Sequence, residues 1–193
     1  MAQLRIGLLF GSFNPIHTGH LILAEHFATR TDLNEVWLVV SPQSPFKVGH
    51  DLLPEAERLR LVELAIAGNP RLRAEPIELE LPRPSYTVAT LDALRLRHPG
   101  HEFVLLMGGD NLPGLPQWKE AERLLTGIDI YVYPRPGTAL PDLAAFPRVK
   151  VMAAPMLDIS ATYIRQSLRT GRSIRYLVPA AVEAELTSLR PSA

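Results

Sequence analysis

Four short apolar runs recur along the chain: LRIGLLF at 4–10, VWLVV at 36–40, EFVLLMG at 102–108 and IDIYVY at 128–133. Each has strand length and is apolar almost throughout, the pattern of a strand buried on both faces. Between them the spacing becomes helical. TGHLILAEHFAT at 18–29 places apolar side chains at 21, 22, 24, 27 and 28. PEAERLRLVELAIA at 54–67 opens with proline and acids and then turns amphipathic, a helix start. Strands alternating with helices build a mostly parallel sheet covered on both faces, a doubly wound α/β fold.

The other segments fit this scheme. LRAEPIELEL at 72–81 reads as extended, with Pro76 interrupting it. Helices are expected at 87–100, where Pro99 and Gly100 end the run, and at about 117–126. VKVMAAP at 149–155 supplies a fifth strand, and 161–171 and 179–189 are terminal helices. The 193 residues suit one domain, with the helices at 161–189 completing it. In such sheets ligands gather at the carboxyl ends of the strands. That singles out the loops after residues 10, 40, 108 and 133.

Composition removes several classes of function. Twenty basic and twenty acidic side chains cancel, so no basic surface points to nucleic acid or an anionic membrane. Phosphate binding would need a local cluster. Only Lys47, Lys119 and Lys150 are lysines. The absence of cysteine excludes disulfides, thiolate zinc sites and a cysteine nucleophile. No secretory signal or membrane-length apolar run is present, so a cytoplasmic location is expected, and a homo-oligomer is left open.

The loop after the first strand, FGSFNPIHTGH at 10–20, lacks both the GxGxxG spacing and the GK[ST] ending of the common phosphate loops. Gly11 allows a sharp turn and close backbone approach to a ligand. The next helix would aim its free N–H groups at the same point. His17 and His20, three residues apart, share its first turn and could donate to phosphate oxygens. The same pair would also serve as surface polar residues or as a helix cap. A catalytic metal site normally needs three protein ligands, and no carboxylate partner is evident nearby.

GSFNPIHTGH resembles the HxGH signature of the nucleotidyltransferase superfamily, and ISATYIR at 159–165 resembles its second signature. The resemblance implies a Rossmann-like nucleotidyltransferase fold. Ser160 or Thr162 would cap a helix there, and Arg165 would offer a fork of donors to polyphosphate. SYTVATL at 85–91, MGGDNLPGLPQW at 107–118 and SIRYLVPAAVEAEL at 173–186 are similar to segments of bacterial nicotinate-nucleotide adenylyltransferases. The likeness spans nearly the whole chain, with the motifs in the expected order.

This resemblance implies transfer of AMP from ATP to nicotinate mononucleotide in NAD biosynthesis, giving deamido-NAD and pyrophosphate. His17, His20, Lys47 and Arg165 would surround the triphosphate, with Mg²⁺ carried mainly by phosphate oxygens. Gly11, Ser12, Phe13, Gly108, Asp110, Ile159, Ser160 and Thr162 would join them in binding ATP. Ser12, Asn14, Lys47, Ser85, Tyr86, Thr87, Trp118 and Arg135 would bind the acceptor, with the Trp118 indole stacked on the pyridine ring. Removing one phosphate contact should cost on the order of 10²-fold in turnover. The loop after the second strand departs from the family, with Phe46 where many relatives have histidine. Its length and its lysine suggest a lid over 41–54. The rivals are the same transfer to nicotinamide mononucleotide or phosphopantetheine, and a non-catalytic nucleotide sensor. A class I aminoacyl-tRNA synthetase is disfavoured, since no tRNA-binding surface accompanies the motif.

Overall fold

Six parallel strands form one sheet in the order β3-β2-β1-β4-β5-β6. The computed structural model describes residues 3–42, 52–135, 137, 139–155 and 157–188. The strands are β1 (Leu4–Gly11), β2 (Glu35–Val40), β3 (Leu72–Glu75), β4 (His101–Gly108), β5 (Asp129–Tyr133) and β6 (Val149–Val151). Helices α1 (Thr18–Arg30), α2 (Glu55–Ile66), α3 (Ile77–Glu80), α4 (Thr87–Arg97), α5 (Ala121–Gly127), α6 (Ala161–Arg169) and α7 (Ala180–Ser188) cover its two faces. The strand order reverses between β1 and β4, so the topological switch point lies beyond Gly11 and Gly108.

Period-two alternation splits the core into two layers. From β2, Val36, Leu38 and Val40 face one side; from β4, Val104 and Leu106 join them; from β5, Tyr131 and Tyr133. They pack against Leu23, Ala24 and Phe27 of α1, Leu61 and Val62 of α2, Ile164 of α6 and Val182 of α7. The intervening residues Trp37, Val39, Leu105, Met107, Ile130 and Val132 face the other side, against Val88 and Leu91 of α4 and Leu124 of α5. Burial on both faces is why the central strands read as unbroken apolar runs. Gly7 interrupts β1 because a Cβ there would come within 2.6 Å of Leu33 Cδ1 and 2.9 Å of Leu106 Cδ1.

The expected elements differ from the observed ones in four places. The extended segment at 72–81 stops at Glu75, and α3 makes one helical turn from Ile77, which is 1% exposed. Pro76 cannot donate to the ladder, and its ring suits a helix start. The expected helix at 117–126 begins only at Ala121, after Glu120 in the left-handed region (φ 52°). Before it, Leu112–Gln117 form a 3-10 turn that buries Leu112 and Leu115. The fifth expected strand is shortened to Val149–Val151, and α4 ends at Arg97, with His98 in the C-cap position. Among the described residues no helix is long and apolar enough to cross a membrane.

Candidate active site at the switch point

The loop leaving β1 folds inward. Phe13 takes a left-handed conformation (φ 43°) and is 2% exposed. Its ring meets His20 edge-on, with centroids 5.0 Å apart, and lies where a Cβ on Gly11 would clash, at 2.9 Å. Gly11 is therefore required by close packing under the loop. Asn14 is buried and its Oδ1 accepts from Leu53 N at 3.0 Å. Phe13 and Asn14, both expected to touch substrate, thus turn into the protein and shape the loop that carries Ser12, His17 and His20.

His17 occupies the N-cap of α1, and its backbone N–H donates to His20 Nδ1 at 3.3 Å. The two imidazoles stack, with centroids 3.7 Å apart and planes 23° from parallel. His17 Nδ1 is buried with no hydrogen-bond partner among the described residues. Burial first, and Arg135 nearby second, hold the His17 pKa down at about 4. Burial, His17 and Arg135 push His20 well below its usual value. Both rings are therefore neutral at pH 7. A Cβ on Gly19 would come within 3.1 Å of the His17 ring, so only glycine leaves that ring uncrowded.

The helix N-terminus is less open than its sequence suggests. Thr18 N donates to Leu177 O at 2.9 Å, and Thr18 Oγ1 to Tyr176 O at 3.0 Å. His20 N and Leu21 N both donate to His17 O. Among the described residues, Gly19 N alone of these first-turn donors lacks a backbone acceptor. The expected fan of free N–H groups reduces to one because Leu177 takes the Thr18 N–H and the His17 carbonyl takes the next two after Gly19.

The second signature meets the first directly. Ser160 caps α6, its Oγ accepting from Tyr163 N at 3.2 Å. Arg165 Nη1 donates to Asn14 O at 2.8 Å, and Nη2 to Thr162 Oγ1 at 3.2 Å. Ile159 reaches within 4.0 Å of the space a Gly19 Cβ would fill. On the β4 side, Asp110 Oδ1 lies 3.4 Å from Arg135 Nε, and a Cβ on Gly108 would collide with that Oδ1. Arg135, expected at the acceptor, stands beside Asp110 and within electrostatic reach of both histidines.

The expected acceptor segments also converge. Tyr86 holds the N-cap position of α4 without a side-chain cap, and Thr87 begins the helix. Lys119 Nζ sits 4.4 Å from the centre of the Tyr86 ring, which joins the SYT segment to the residue after Trp118. Tyr86 and Trp118 both pack, half-buried, on the core layer that lies against α4 and α5. Lys47 and Phe46, and with them most of the expected lid, fall outside the described residues.

Sequence reasoning overlooked Arg58 and Tyr176, and gave Lys119 no place beside Tyr86. Arg58 left a signal: it lies three and four residues before Leu61 and Val62, on the buried face of α2.

A parallel sheet with an HxGH loop and a helix-borne arginine meeting at its switch point defines a nucleotidyltransferase, and the chain belongs to the cytidylyltransferase-like family, whose pattern matches residues 8–167. Within that class its sequence is similar to proteins named as probable nicotinate-nucleotide adenylyltransferases. The one from Cytophaga hutchinsonii is 51% identical over 185 residues, covering 96% of each chain. That from Bacteroides fragilis is 46% identical over 182 residues, covering 94% of this chain and 90% of the relative. The fold matches Plasmodium falciparum nicotinic acid mononucleotide adenylyltransferase complexed with NaAD, at a TM-score of 0.78 and 19% identity over 96% of both chains.

Proposed function

We propose that the chain transfers AMP from ATP to nicotinate mononucleotide, forming deamido-NAD and pyrophosphate. The observation that carries this reading is the Arg165–Asn14 contact at 2.8 Å, which joins the second signature segment to the loop that leads into the stacked His17 and His20. The curated relatives and the Plasmodium enzyme bound to NaAD support the choice of acceptor.

In this reading an acceptor phosphate oxygen attacks the α-phosphorus in line. The new P–O bond forms as the bond to the β-bridging oxygen breaks, and pyrophosphate leaves. The attacking oxygen is already anionic, so no protein nucleophile or strong base is required. Catalysis is positioning and charge stabilisation. His17 and His20 donate from neutral rings and gain proton affinity as phosphate charge arrives. Arg165 and Lys47 hold the outer phosphates, the Gly19 N–H donates to an oxygen, and Asp110 accepts from the ATP ribose. Ser85, Thr87 and Trp118 receive the acceptor, whose pyridine ring stacks on the indole.

Among the described residues no group of three or more His, Cys, Asp or Glu side chains could hold a metal ion. Mg²⁺ in this reading is carried mainly by the phosphate oxygens, whose charge it would neutralise. The test is an acceptor panel at equal concentration: nicotinate mononucleotide, nicotinamide mononucleotide and phosphopantetheine with ATP and Mg²⁺. Pyrophosphate released fastest with nicotinate mononucleotide is expected. Faster release with another acceptor rejects the assignment.

A further inference from the structure

Arg58 has no exposed surface; burial works against its charge, Glu55 favours it from beyond ion-pair distance, and Arg83 opposes it. The partners of Arg58 are backbone carbonyls. Nε donates to Leu53 O at 3.1 Å, Nη1 to Ser41 O at 2.7 Å and to Ser12 O, and Nη2 to Pro42 O at 2.8 Å. These oxygens belong to three separate segments: the HxGH loop after β1, the exit from β2 and the entry to α2. Two more bonds tie the same segments, Ser41 N to Gly11 O at 2.9 Å and Leu53 N to Asn14 Oδ1 at 3.0 Å.

We propose that Arg58 is a positioning residue for the transfer reaction, a buried guanidinium that fixes the Ser12 carbonyl and so sets the course of the loop carrying His17 and His20. The inference rests on the adenylyl-transfer reading for its kinetic consequence. A buried cation is costly, and apolar side chains usually serve a core at least as well. A guanidinium can serve here because its planar fork reaches acceptors on several sides at once. Ser12 stands immediately before Phe13, the left-handed residue at which the loop turns inward. An error at Ser12 therefore propagates to the Asn14 carbonyl that Arg165 grips. In-line attack is sensitive to such errors, since about 1 Å of displacement can cost 10²-fold.

The test uses Arg58→Lys and Arg58→Met in the full chain. Lysine keeps the charge but supplies donors from a single point. Pyrophosphate release, melting temperature and amide exchange at residues 12–17 are measured together. For Arg58→Lys we expect a folded protein, kcat lower by 10-fold or more, KM for ATP changed less than 3-fold, and amide exchange at residues 12–17 faster by 10-fold or more. Arg58→Met should lose more in both readouts; should it fail to fold, Arg58→Lys decides alone. A folded Arg58→Lys with kcat within 2-fold of the parent overturns the proposal, even if its melting temperature falls. If the parent protein itself releases no pyrophosphate from nicotinate mononucleotide, the acceptor assignment fails. In that case the exchange comparison alone decides the positioning role, and unchanged exchange at residues 12–17 overturns it.

Discussion

Lowering the pH from 7.5 to 5 should selectively destabilise this fold through His17. The ring is 6% exposed, and burial holds its pKa at about 4 instead of the usual 6.5. Because the folded value is the lower one, the unfolded chain takes up the proton first as pH falls. The associated stability is fully present above about pH 6.5 and is lost progressively towards pH 4. The complete loss is worth about 3.4 kcal/mol, of which about 2 kcal/mol has gone by pH 5. Other groups titrate over the same range, so the reference is a His17→Gln variant, which has no proton to gain. Urea unfolding of both proteins at pH 7.5, 6.5, 5.5 and 5 gives the difference in stability directly. That difference should shift by about 2 kcal/mol against the parent between the ends of the series. A constant difference, within about 0.5 kcal/mol, would refute the claim that His17 is neutral because it is buried.

Two further outcomes follow from packing. Phe27 is fully buried between α1 and the sheet, with Tyr131 and Tyr133 within ring-contact distance. Phe27→Ala should cost about 3–5 kcal/mol in denaturant titration, and a loss below 1 kcal/mol would contradict the described core. Gly108→Ala would drive its new Cβ against Asp110 Oδ1 and to 2.9 Å from Arg135 Nε. Both side chains are nearly half exposed and can swing aside, so the melting temperature should hold while kcat/KM falls by about 10²-fold. Unchanged kinetics would show that the Asp110–Arg135 pair lies outside the working site.

The sheet was legible because burial on both faces writes a strand as continuous apolar sequence, as in VWLVV and EFVLLMG. His17, His20 and Arg165 stood out because a motif keeps chemistry and spacing together, and the structure brings their two segments into contact. What escaped sequence reasoning depends on residues far apart in the chain. The free N–H groups expected at α1 are lost to Leu177 and to the His17 carbonyl, and local sequence does not disclose a distant acceptor. The Phe13 ring forms a floor under the loop, and the sequence did not disclose it because the inward turn follows from the residue's left-handed backbone conformation. Arg58 was hidden for the opposite reason. Its position in the helical pattern marked it as buried, but an arginine there reads by default as a surface residue whose stem covers apolar neighbours. Pro76 was correctly seen as an interruption, and the turn of helix it starts was not.

The contact between Arg165 and Asn14 also sets an order in time. The two residues are 151 positions apart. At ribosomal rates of about 5–20 residues per second, roughly 8–30 s separate their synthesis. Throughout that interval the HxGH loop exists without the arginine that closes it and without the Tyr176–Leu177 carbonyls that cover the start of α1. Sheet strands β1, β2 and β4 can pair meanwhile, but the nascent chain lacks the finished corner where the two signature segments meet. The enzyme gains its chemistry only after almost all of its scaffold has been made, so a stalled or shortened product can resemble the fold and still be silent.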